Sequence, residues 1–293
     1  MKHDHIIKRP IKRIVVDIID DFLFSIKVRS FKILCSLLIS RFSILLELMF
    51  GKKLAMVLIS FGNKLACNLK INLNDVIYIL RDIDSARLIK GEQCIWEYLK
   101  SIPTGSIFLD VGAHIGKYTL PLAKIVGNSG LVIAVEPDPI NYKFLKRGIE
   151  ENTLKNVIAL NIGAWNENGF RRFFITSLSG EGSLIRQKEH RFICGEIKVK
   201  VRKLDEVLEE LNIKRMDYIK IDVEGAEYEV LEGLKKILLN CSPVVVVEVL
   251  SENYRKVLSY MKGLGYESTE IKMSVDMSYF IFSKKSCTYD GKF

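Results

Sequence analysis

The feature that most restricts the fold is a regular alternation of apolar runs and amphipathic segments after Gly105. Strand-like runs are predicted at 107–111, 131–135, 157–160, 218–221 and 244–249. Helical patterns between and after them are predicted at 118–126, 139–152, 204–211, 226–239 and 253–263. Further strands are predicted at 170–176 (antiparallel), 197–201, 266–271 and 278–282. This alternation indicates an α/β fold, a mostly parallel sheet with helices on both faces.

The first 65 residues differ from the rest in charge and hydropathy. They hold 12 basic and 5 acidic residues, whereas the other 228 hold 32 and 30, so most of the net charge of +9 lies here. Residues 33–61 are strongly apolar, but Arg41, Glu47 and the pair Lys52–Lys53 interrupt them. No uncharged run of the roughly 20 residues that a spanning helix needs is present. We expect a helical extension that packs on the rest of the chain, or lies on an anionic membrane surface or a protein partner.

Changes in pattern divide the chain into three predicted parts. Residues 1–65 form the basic, apolar helical extension. Residues 66–103 form a connecting region, because NLKINLNDVIYIL alternates as a hairpin does and a helical pattern follows at 93–99. The Pro-Thr-Gly break then opens the α/β domain, residues 104–293.

Cysteine and histidine usage bears on compartment and metal binding. The six cysteines are scattered without a C-x-x-C pair, which is typical of reduced thiols rather than a disulfide framework. The four histidines form no ligand pattern, so no metal site is expected. The start of the chain lacks a signal-peptide pattern. We therefore expect a cytoplasmic protein, with peripheral membrane association through residues 1–65 left open.

Two acidic residues at predicted strand ends define a candidate nucleotide site. In FLDVGAHIGKYTL, Asp110 ends the first strand, and Gly112 and Gly116 flank a sharp turn that lets a ligand approach the backbone. Glu136 ends the second strand, where a carboxylate can accept hydrogen bonds from both ribose hydroxyls. The spacing D-x-G-x-H-x-G lacks the third glycine of a dinucleotide-binding loop, which disfavours an NAD-dependent enzyme.

Four blocks of sequence carry a family resemblance. They are FLDVGAHIGKYTL, VIAVEPDPINYKFLKRGIEEN, KLDEVL and YIKIDVEGAEYEVLEG. Together they resemble the signature blocks of FkbM-type S-adenosylmethionine-dependent methyltransferases. The resemblance covers residues 107–250 and leaves residues 1–65 outside. It implies a Rossmann-like class I methyltransferase sheet and S-adenosylmethionine as cofactor.

The same resemblance implies a set of cofactor-binding residues. Asp110 would orient the ammonium group, Glu136 would hold the ribose hydroxyls, and His114 would structure the loop rather than act in catalysis. Pro137 and Asp138 would lie beside the adenine. The full implied set is Asp110, Gly112, Ala113, His114, Gly116, Glu136, Pro137, Asp138, Gly163 and Ala164.

The candidate catalytic residues lie mainly after the fourth predicted strand. Methyl transfer needs an aligned acceptor oxygen and often a base. Asp222 at the strand tip is the main candidate, and Lys220, on the same strand face, would keep it ionised. Glu224 and Glu227 follow at a helix entrance, where helix capping is the alternative role.

Two further groups of residues are candidates near the acceptor. Glu248 is an acid within the apolar run VVVVEV, and a buried acid needs a partner or a function. The polar stretch 176–196 predicts either a lid-like loop or a solvated one. Its candidates toward the acceptor are Ser183, Arg186, Arg191 and His190, the last with a suitable pKa for a base.

The sequence predicts a methyltransferase that acts on a hydroxyl of a sugar, a lipid-linked glycan or a small natural product. The choice of oxygen follows from the resemblance. One alternative is an NAD-dependent Rossmann oxidoreductase, which the loop spacing disfavours. Another is a non-catalytic membrane-surface adaptor, which Asp110, Glu136 and Asp222 disfavour. A nucleic-acid partner is not expected, because the last 228 residues are nearly neutral.

Overall fold

The computed structural model describes residues 11–50, 52–91, 93–176, 179–186, 193–273 and 277–284. Two compact units divide at residues 92 and 93. The helices are α1 (Ile11–Lys27), α2 (Phe31–Phe50), α3 (Lys52–Ala66), α4 (Ile83–Lys90), α5 (Gln93–Leu99), α6 (Thr119–Val126), α7 (Pro139–Glu151), α8 (Leu204–Glu210), α9 (Glu227–Gly233), α10 (Lys235–Asn240) and α11 (Tyr254–Gly263). The strands are β1 (Lys70–Leu73), β2 (Val76–Ile79), β3 (Ile107–Val111), β4 (Leu131–Val135), β5 (Val157–Leu160), β6 (Gly163–Ala164), β7 (Gly169–Thr176), β8 (Ile193–Arg202), β9 (Tyr218–Ile221), β10 (Val244–Leu250), β11 (Glu267–Lys272) and β12 (Met277–Ser283).

The first unit contains α1–α4 and a β-hairpin. Strands β1 and β2 pair antiparallel with Leu73 opposite Val76, as the alternation predicts. The two turn residues, Asn74 and Asp75, have positive φ angles of 53° and 62°. Asn and Asp tolerate this conformation better than other non-glycine residues, and a right-twisted hairpin favours it.

An ion cluster around the buried Asp21 carboxylate fixes α1 within the first unit. The Arg41 guanidinium lies 2.9 Å from Asp21 and 3.0 Å from Asp17, and Lys90 Nζ lies 2.8 Å from Asp21. Burial acts to raise the pKa of Asp21, but hydrogen bonds from Arg41 and Lys90 outweigh it, so the pKa is lowered. The carboxylate is ionised at neutral pH and ties α1 to α2 and α4. Within the ranges that the structure covers, no helix combines the length and apolarity needed to cross a bilayer.

The second unit is built on a seven-stranded sheet of order β11-β12-β10-β9-β3-β4-β5. Strands β10, β9, β3, β4 and β5 are parallel, and β12 runs antiparallel to both β10 and β11. The chain starts at β3, moves outward through β4 and β5, and returns to the other side of β3 as β9. The strand order therefore reverses between β3 and β9, which is where α/β sheets bind ligands. The predicted α/β architecture is confirmed.

A smaller sheet of order β6-β8-β7 accompanies the large one. Strands β7 and β8 are antiparallel, as expected for 170–176, and the two residues of β6 pair with Val201 and Arg202. Strand β8 begins four residues before the predicted start at 197. The other predicted strands of the second unit end within one residue of those observed.

The single helix predicted at 226–239 is wrong, because the chain forms two short helices there. Helix α9 ends at Gly233, and Leu234 has non-helical angles of φ −109° and ψ 10°. A Cβ atom on Gly233 would come within 2.2 Å of the Trp165 carbonyl oxygen. The break therefore coincides with a close backbone approach from a distant part of the chain, which local periodicity cannot report.

Both faces of the large sheet carry a packed core. One face packs on α8–α11 through residues such as Ile221, Val230 and Val247. The other face packs on α6 and α5, with Ile95 and Leu99 of α5 fully buried. Helix α5 thus belongs to the second unit, whereas the hairpin of the predicted connecting region belongs to the first.

Candidate active site

Four acidic residues lie at or just beyond the carboxyl ends of four neighbouring parallel strands. Asp110 is on β3, Glu136 follows β4, Asp222 follows β9 and Glu248 is on β10. Strands β3 and β9 pair so that Asp110 lies opposite Lys220. The sequence predicted each of these acids as a candidate, and the sheet register brings all four to one edge.

The loop between β3 and α6, residues 112–118, makes a close backbone contact with the residue that follows β9. Gly112 has φ of +84°, and a Cβ atom there would lie 1.8 Å from the Asp222 carbonyl oxygen. The Asp222 N–H donates to the Val111 carbonyl oxygen at 3.0 Å. Only glycine satisfies both the positive φ angle and this contact. Gly116 has φ of +96° and completes the turn into α6.

Glu136 is a buried acceptor surrounded by donors. Its Oε2 accepts from the His114 N–H at 2.7 Å, and its Oε1 accepts from the Asp138 N–H at 2.9 Å and from Asn141 Nδ2 at 3.5 Å. Burial raises the pKa of Glu136 to about 7, against the opposing effect of the two N–H donors. A carboxylate offers about four acceptor positions. The three contacts use three of these positions, so one remains for a ligand hydroxyl, and the expected contact of Glu136 with both ribose hydroxyls stays a prediction.

His114 connects the 112–118 loop to the segment 179–186. Its backbone has a positive φ of 52°, and its Nε2 lies 3.0 Å from Ser179 Oγ. Asn141 Nδ2 donates to the Ser179 carbonyl oxygen at 3.3 Å. Ser179 and Asn141 therefore belong to the site, although sequence reasoning missed both. The only sequence signal for either residue is that Asn141 follows the VEPDP block, which contains its partner Glu136.

The remaining residues expected around the adenine have structural contacts. Asp138 caps α7, since its Oδ1 accepts from the Ile140 N–H at 2.7 Å. Asn161 Nδ2 donates to the carbonyl oxygens of Glu136 and Pro137 at 2.8 and 3.2 Å, which joins the ends of β4 and β5. Gly163 and Ala164 are both buried in β6, and Ala113 is buried in the loop.

Asp110 is fully buried, and its two oxygens differ in their contacts. Thr119 Oγ1 donates to Asp110 Oδ2 at 2.6 Å. Among the residues that the structure describes, none donates a hydrogen bond to Asp110 Oδ1. Burial raises the pKa of Asp110, and the charge of Lys220 and the bond from Thr119 oppose that shift. A buried acceptor lacking a donor is uncommon in native proteins, and it fits the ammonium group expected here.

Lys220 and Asp222 form an ion pair. The distance from Lys220 Nζ to Asp222 Oδ2 is 2.9 Å, and the side chains are 2% and 23% exposed, so Asp222 is the accessible partner. Lys220 Nζ also lies 4.6 Å from the centre of the Tyr118 ring. Burial acts to raise the pKa of Asp222, but the charge of Lys220 and hydrogen bonds from Glu248 and Lys220 outweigh it, so the pKa is lowered.

Glu248 joins this pair from β10. It is hydrogen-bonded to Asp222, and its Oε2 accepts from the Tyr279 hydroxyl at 3.0 Å. A buried acid was expected to need a partner or a function, and Glu248 has two partners, the Asp222 carboxyl group and the Tyr279 hydroxyl. Tyr279 was missed, because only the β10–β12 register places it opposite Glu248.

Glu227 and Glu224 lie in the turn before α9. Glu227 is 1% exposed, and its oxygens accept from the Gly225 N–H at 2.7 Å and from Asn253 Nδ2 at 2.6 Å. Burial raises the pKa of Glu227 to about 7. The carbonyl oxygen of Glu224 accepts from Ser183 Oγ at 2.6 Å. Neither donor to Glu227 is an N–H group of α9, so Glu227 joins the turn before α9 to Asn253 and does not cap the helix.

The predicted loop candidates separate into three cases. Ser183 is buried beside Glu224, whereas Arg186 is exposed. His190 and Arg191 lie outside the described residues. In the part of the chain that the structure covers, no group of three His, Cys, Asp or Glu side chains is arranged to hold a metal ion.

The parallel sheet, its reversal of strand order and the acids at its strand ends define the class of nucleotide-binding α/β proteins. The family profile named "Methyltransferase FkbM domain" matches residues 110–268, a range that contains Asp110, Glu136, Asp222 and Glu248. The chain belongs to the FkbM methyltransferase family, and S-adenosylmethionine is its cofactor.

The individual proteins that this chain resembles share less than 30% of its sequence in the aligned region. "Methyltransferase 1" of Beauveria bassiana is 28% identical over 50% of this chain and 66% of its own length. The "Hexuronic acid methyltransferase AglP" of Haloferax volcanii is 27% identical over 67% of this chain and 80% of its own. The crystal structure of methyltransferase FkbM from Methylobacillus flagellatus KT has a TM-score of 0.47 at 14% identity, covering 92% of this chain and 60% of that one. The chain thus spans just under two thirds of the length of the Beauveria bassiana protein.

Proposed function

We propose that this protein transfers the methyl group of S-adenosylmethionine to a hydroxyl oxygen of a sugar-type acceptor, such as a sugar, a lipid-linked glycan or a glycosylated small molecule. The observation that carries the proposal is the accessible Asp222 carboxylate, held by Lys220 at the same sheet edge as Asp110 and Glu136. The similarity to a protein named a hexuronic acid methyltransferase supports a sugar acceptor.

The cofactor roles follow from two acceptor positions in the site. When bound, S-adenosylmethionine supplies a methyl group on an electrophilic sulfonium centre. The available Asp110 Oδ1 suits an ammonium donor, and the remaining acceptor capacity of Glu136 suits a ribose hydroxyl. The N–H groups of His114 and Asp138 hold the Glu136 carboxylate in place for that contact.

Asp222 is proposed to act on the acceptor. Its lowered pKa keeps it ionised at neutral pH, so it can accept a hydrogen bond from the acceptor hydroxyl and align the oxygen. The hydroxyl proton passes to this carboxylate and then to solvent, because 23% of the Asp222 side chain is exposed. Lys220 and Glu248 are positioning residues, since they act through Asp222.

The cofactor assignment is tested by removing each acid. Asp110→Ala and Glu136→Ala are each expected to abolish binding of S-adenosylmethionine in calorimetric titration, because each deletes an acceptor for the cofactor. Glu150→Ala, an exposed acid on α7, is the matched control and should bind like the wild type. Wild-type affinity in both site variants would refute the assignment.

Cofactor affinity should also depend on pH through Glu136. Burial raises the pKa of Glu136 from 4.5 to about 7, and ligand hydroxyls need the ionised carboxylate. The ionised fraction falls about tenfold between pH 8 and pH 6, so the dissociation constant for S-adenosylmethionine should rise about tenfold over that range. Calorimetry at several pH values measures this. Glu136→Gln should bind more weakly and with a smaller dependence on pH, since only Asp110 then has a raised pKa in the cofactor site, and an identical dependence in that variant would contradict the claim.

Two other functions make distinct predictions. An NAD-dependent oxidoreductase would bind NAD, and titration with NAD in parallel with S-adenosylmethionine separates the two classes. A non-catalytic adaptor would transfer no label. Incubation with methyl-labelled S-adenosylmethionine and fractionated cell extract shows whether label is transferred, and it identifies the acceptor. Label in a carbohydrate fraction supports the proposal, and label in protein or nucleic acid alone contradicts it.

The cytoplasmic location is part of this proposal. Cys67 and Cys94 are exposed free thiols. Exposed free thiols persist in reducing compartments. Such a location also gives access to S-adenosylmethionine.

A further inference from the structure

Helix α1 exposes apolar side chains instead of burying them. Ile18, Ile19, Phe22, Leu23 and Ile26 are 38–56% exposed. At about 100° per residue, these five positions fall within an arc of about 140°. We call this surface the α1 apolar face. An amphipathic helix normally turns such a face toward the protein core.

The opposite side of α1 carries the contacts with the first unit. Phe24, Ser25, Val28 and Asp21 are all at most 7% exposed. Asp21 is paired with a guanidinium from α2 and an ammonium from α4. Rotating the helix to bury the apolar face would separate the buried Asp21 carboxylate, which is 1% exposed, from both of its cationic partners, which is unfavourable. The ion cluster therefore fixes the α1 apolar face outward.

Exposed cations lie at the end of this face. Three cations are exposed here: Lys27 in the last turn of α1, Arg29 in the turn between the helices and Lys32 at the start of α2; Phe31 beside them is 78% exposed. Basic residues beside an apolar helical face are the features that bind helices to anionic lipid surfaces. The apolar residues suit the acyl boundary and the cations suit the headgroups.

The charge balance favours lipid over a second copy of the chain. Residues 1–65 carry a surplus of seven positive charges, and two of their five acids, Asp17 and Asp21, are paired with Arg41. A symmetric contact between two such faces would bring like charges together, which is repulsive. An anionic bilayer offers charge complementarity along the whole surface.

We propose that the α1 apolar face, together with Lys27, Arg29 and Lys32, docks this protein on an anionic membrane surface. Helix α1 lies in the plane of the interface and does not span the bilayer. This inference is independent of the acceptor, and failure of methyl transfer would leave it intact.

The test is flotation of the full chain with vesicles of phosphatidylcholine alone or mixed with phosphatidylglycerol. The double variant Phe22→Ser/Leu23→Ser should bind the mixed vesicles about tenfold more weakly, because it removes apolar area from the docking face. The triple variant Lys27→Gln/Arg29→Gln/Lys32→Gln should lose about tenfold on mixed vesicles only. Phe170→Ser, which removes a 64% exposed aromatic from β7, is the matched control and should bind unchanged.

Circular dichroism and S-adenosylmethionine binding establish that each variant is folded. Wild-type vesicle binding by the double variant, or an equal loss in Phe170→Ser, would overturn the proposal. Light scattering measures the oligomeric state of the wild type and of the double variant. If the wild type ignores vesicles and forms a dimer that the double variant cannot form, a second copy covers the face and the membrane proposal is wrong.

Discussion

Replacement of Asp222 by Asn is expected to lower kcat by about 10²- to 10⁴-fold while the affinity for S-adenosylmethionine changes little. Asn keeps the size of the side chain and one acceptor oxygen, but it cannot take the hydroxyl proton. The effect should appear in kcat rather than in the dissociation constant of the cofactor, because Asp222 is proposed to act on the acceptor. Steady-state kinetics with the acceptor identified by methyl labelling measures kcat, and calorimetry measures the dissociation constant of the cofactor.

The variant needs a control, because Lys220 is 2% exposed and loses its carboxylate partner. An uncompensated buried charge destabilises a protein by about 3–5 kcal/mol. The double variant Lys220→Met/Asp222→Asn removes both charges of the pair and should unfold at a higher temperature than Asp222→Asn without recovering kcat; calorimetry with the cofactor accompanies it, because Lys220 also lies opposite Asp110. Recovery of kcat together with stability would mean that Asp222 has only a structural role.

The Gly112→Ala variant should show the largest loss of stability among single changes in the 112–118 loop. The positive φ of +84° costs about 1–2 kcal/mol for a non-glycine residue. The added Cβ would lie 1.8 Å from the Asp222 carbonyl oxygen, a backbone atom that cannot move without displacing β9. Overlap of this kind costs about 1–3 kcal/mol more. We expect a loss of about 3 kcal/mol or more in the free energy of unfolding, and loss of cofactor binding.

Gly195→Ala on β8 is the matched control for this substitution. A Cβ atom at Gly195 would meet no atom within 4 Å. Its free energy of unfolding should stay within about 0.5 kcal/mol of the wild type, as at other surface positions. Chemical denaturation measures both variants. Equal stability of the two would show that the close approach of the 112–118 loop to β9 is not maintained in solution.

The predictable part of the fold came from patterns a few residues long. The apolar runs that became β3, β4, β5, β9 and β10 were identified to within one residue, because a buried parallel strand reads as a short apolar stretch. The hairpin was predictable from its alternation, and Asn74–Asp75 suits its turn. The break between α9 and α10 was not, since it depends on Trp165 passing Gly233 from a distant segment.

The candidate site shows the same division. Glycines and acids at strand ends identified Asp110, Gly112, Glu136 and Asp222, because the chemistry of a nucleotide site requires those residue types directly after a strand. Their hydrogen bonds to one another could not be predicted. The contact of His114 with Ser179 joins residues 65 positions apart and has no local signature.

The sequence by itself determined the alternation of strands and helices, the acids that end the strands, and the excess of basic residues in the first 65 positions. Tertiary structure alone decided that Glu248 contacts both Asp222 and Tyr279, because the register of β10 with its neighbours sets those contacts. It also decided that α1 turns its apolar face outward, since Asp21 finds Arg41 and Lys90 on other helices. Periodicity shows that a helix has two faces, and only the partners of its polar residues determine which one is buried.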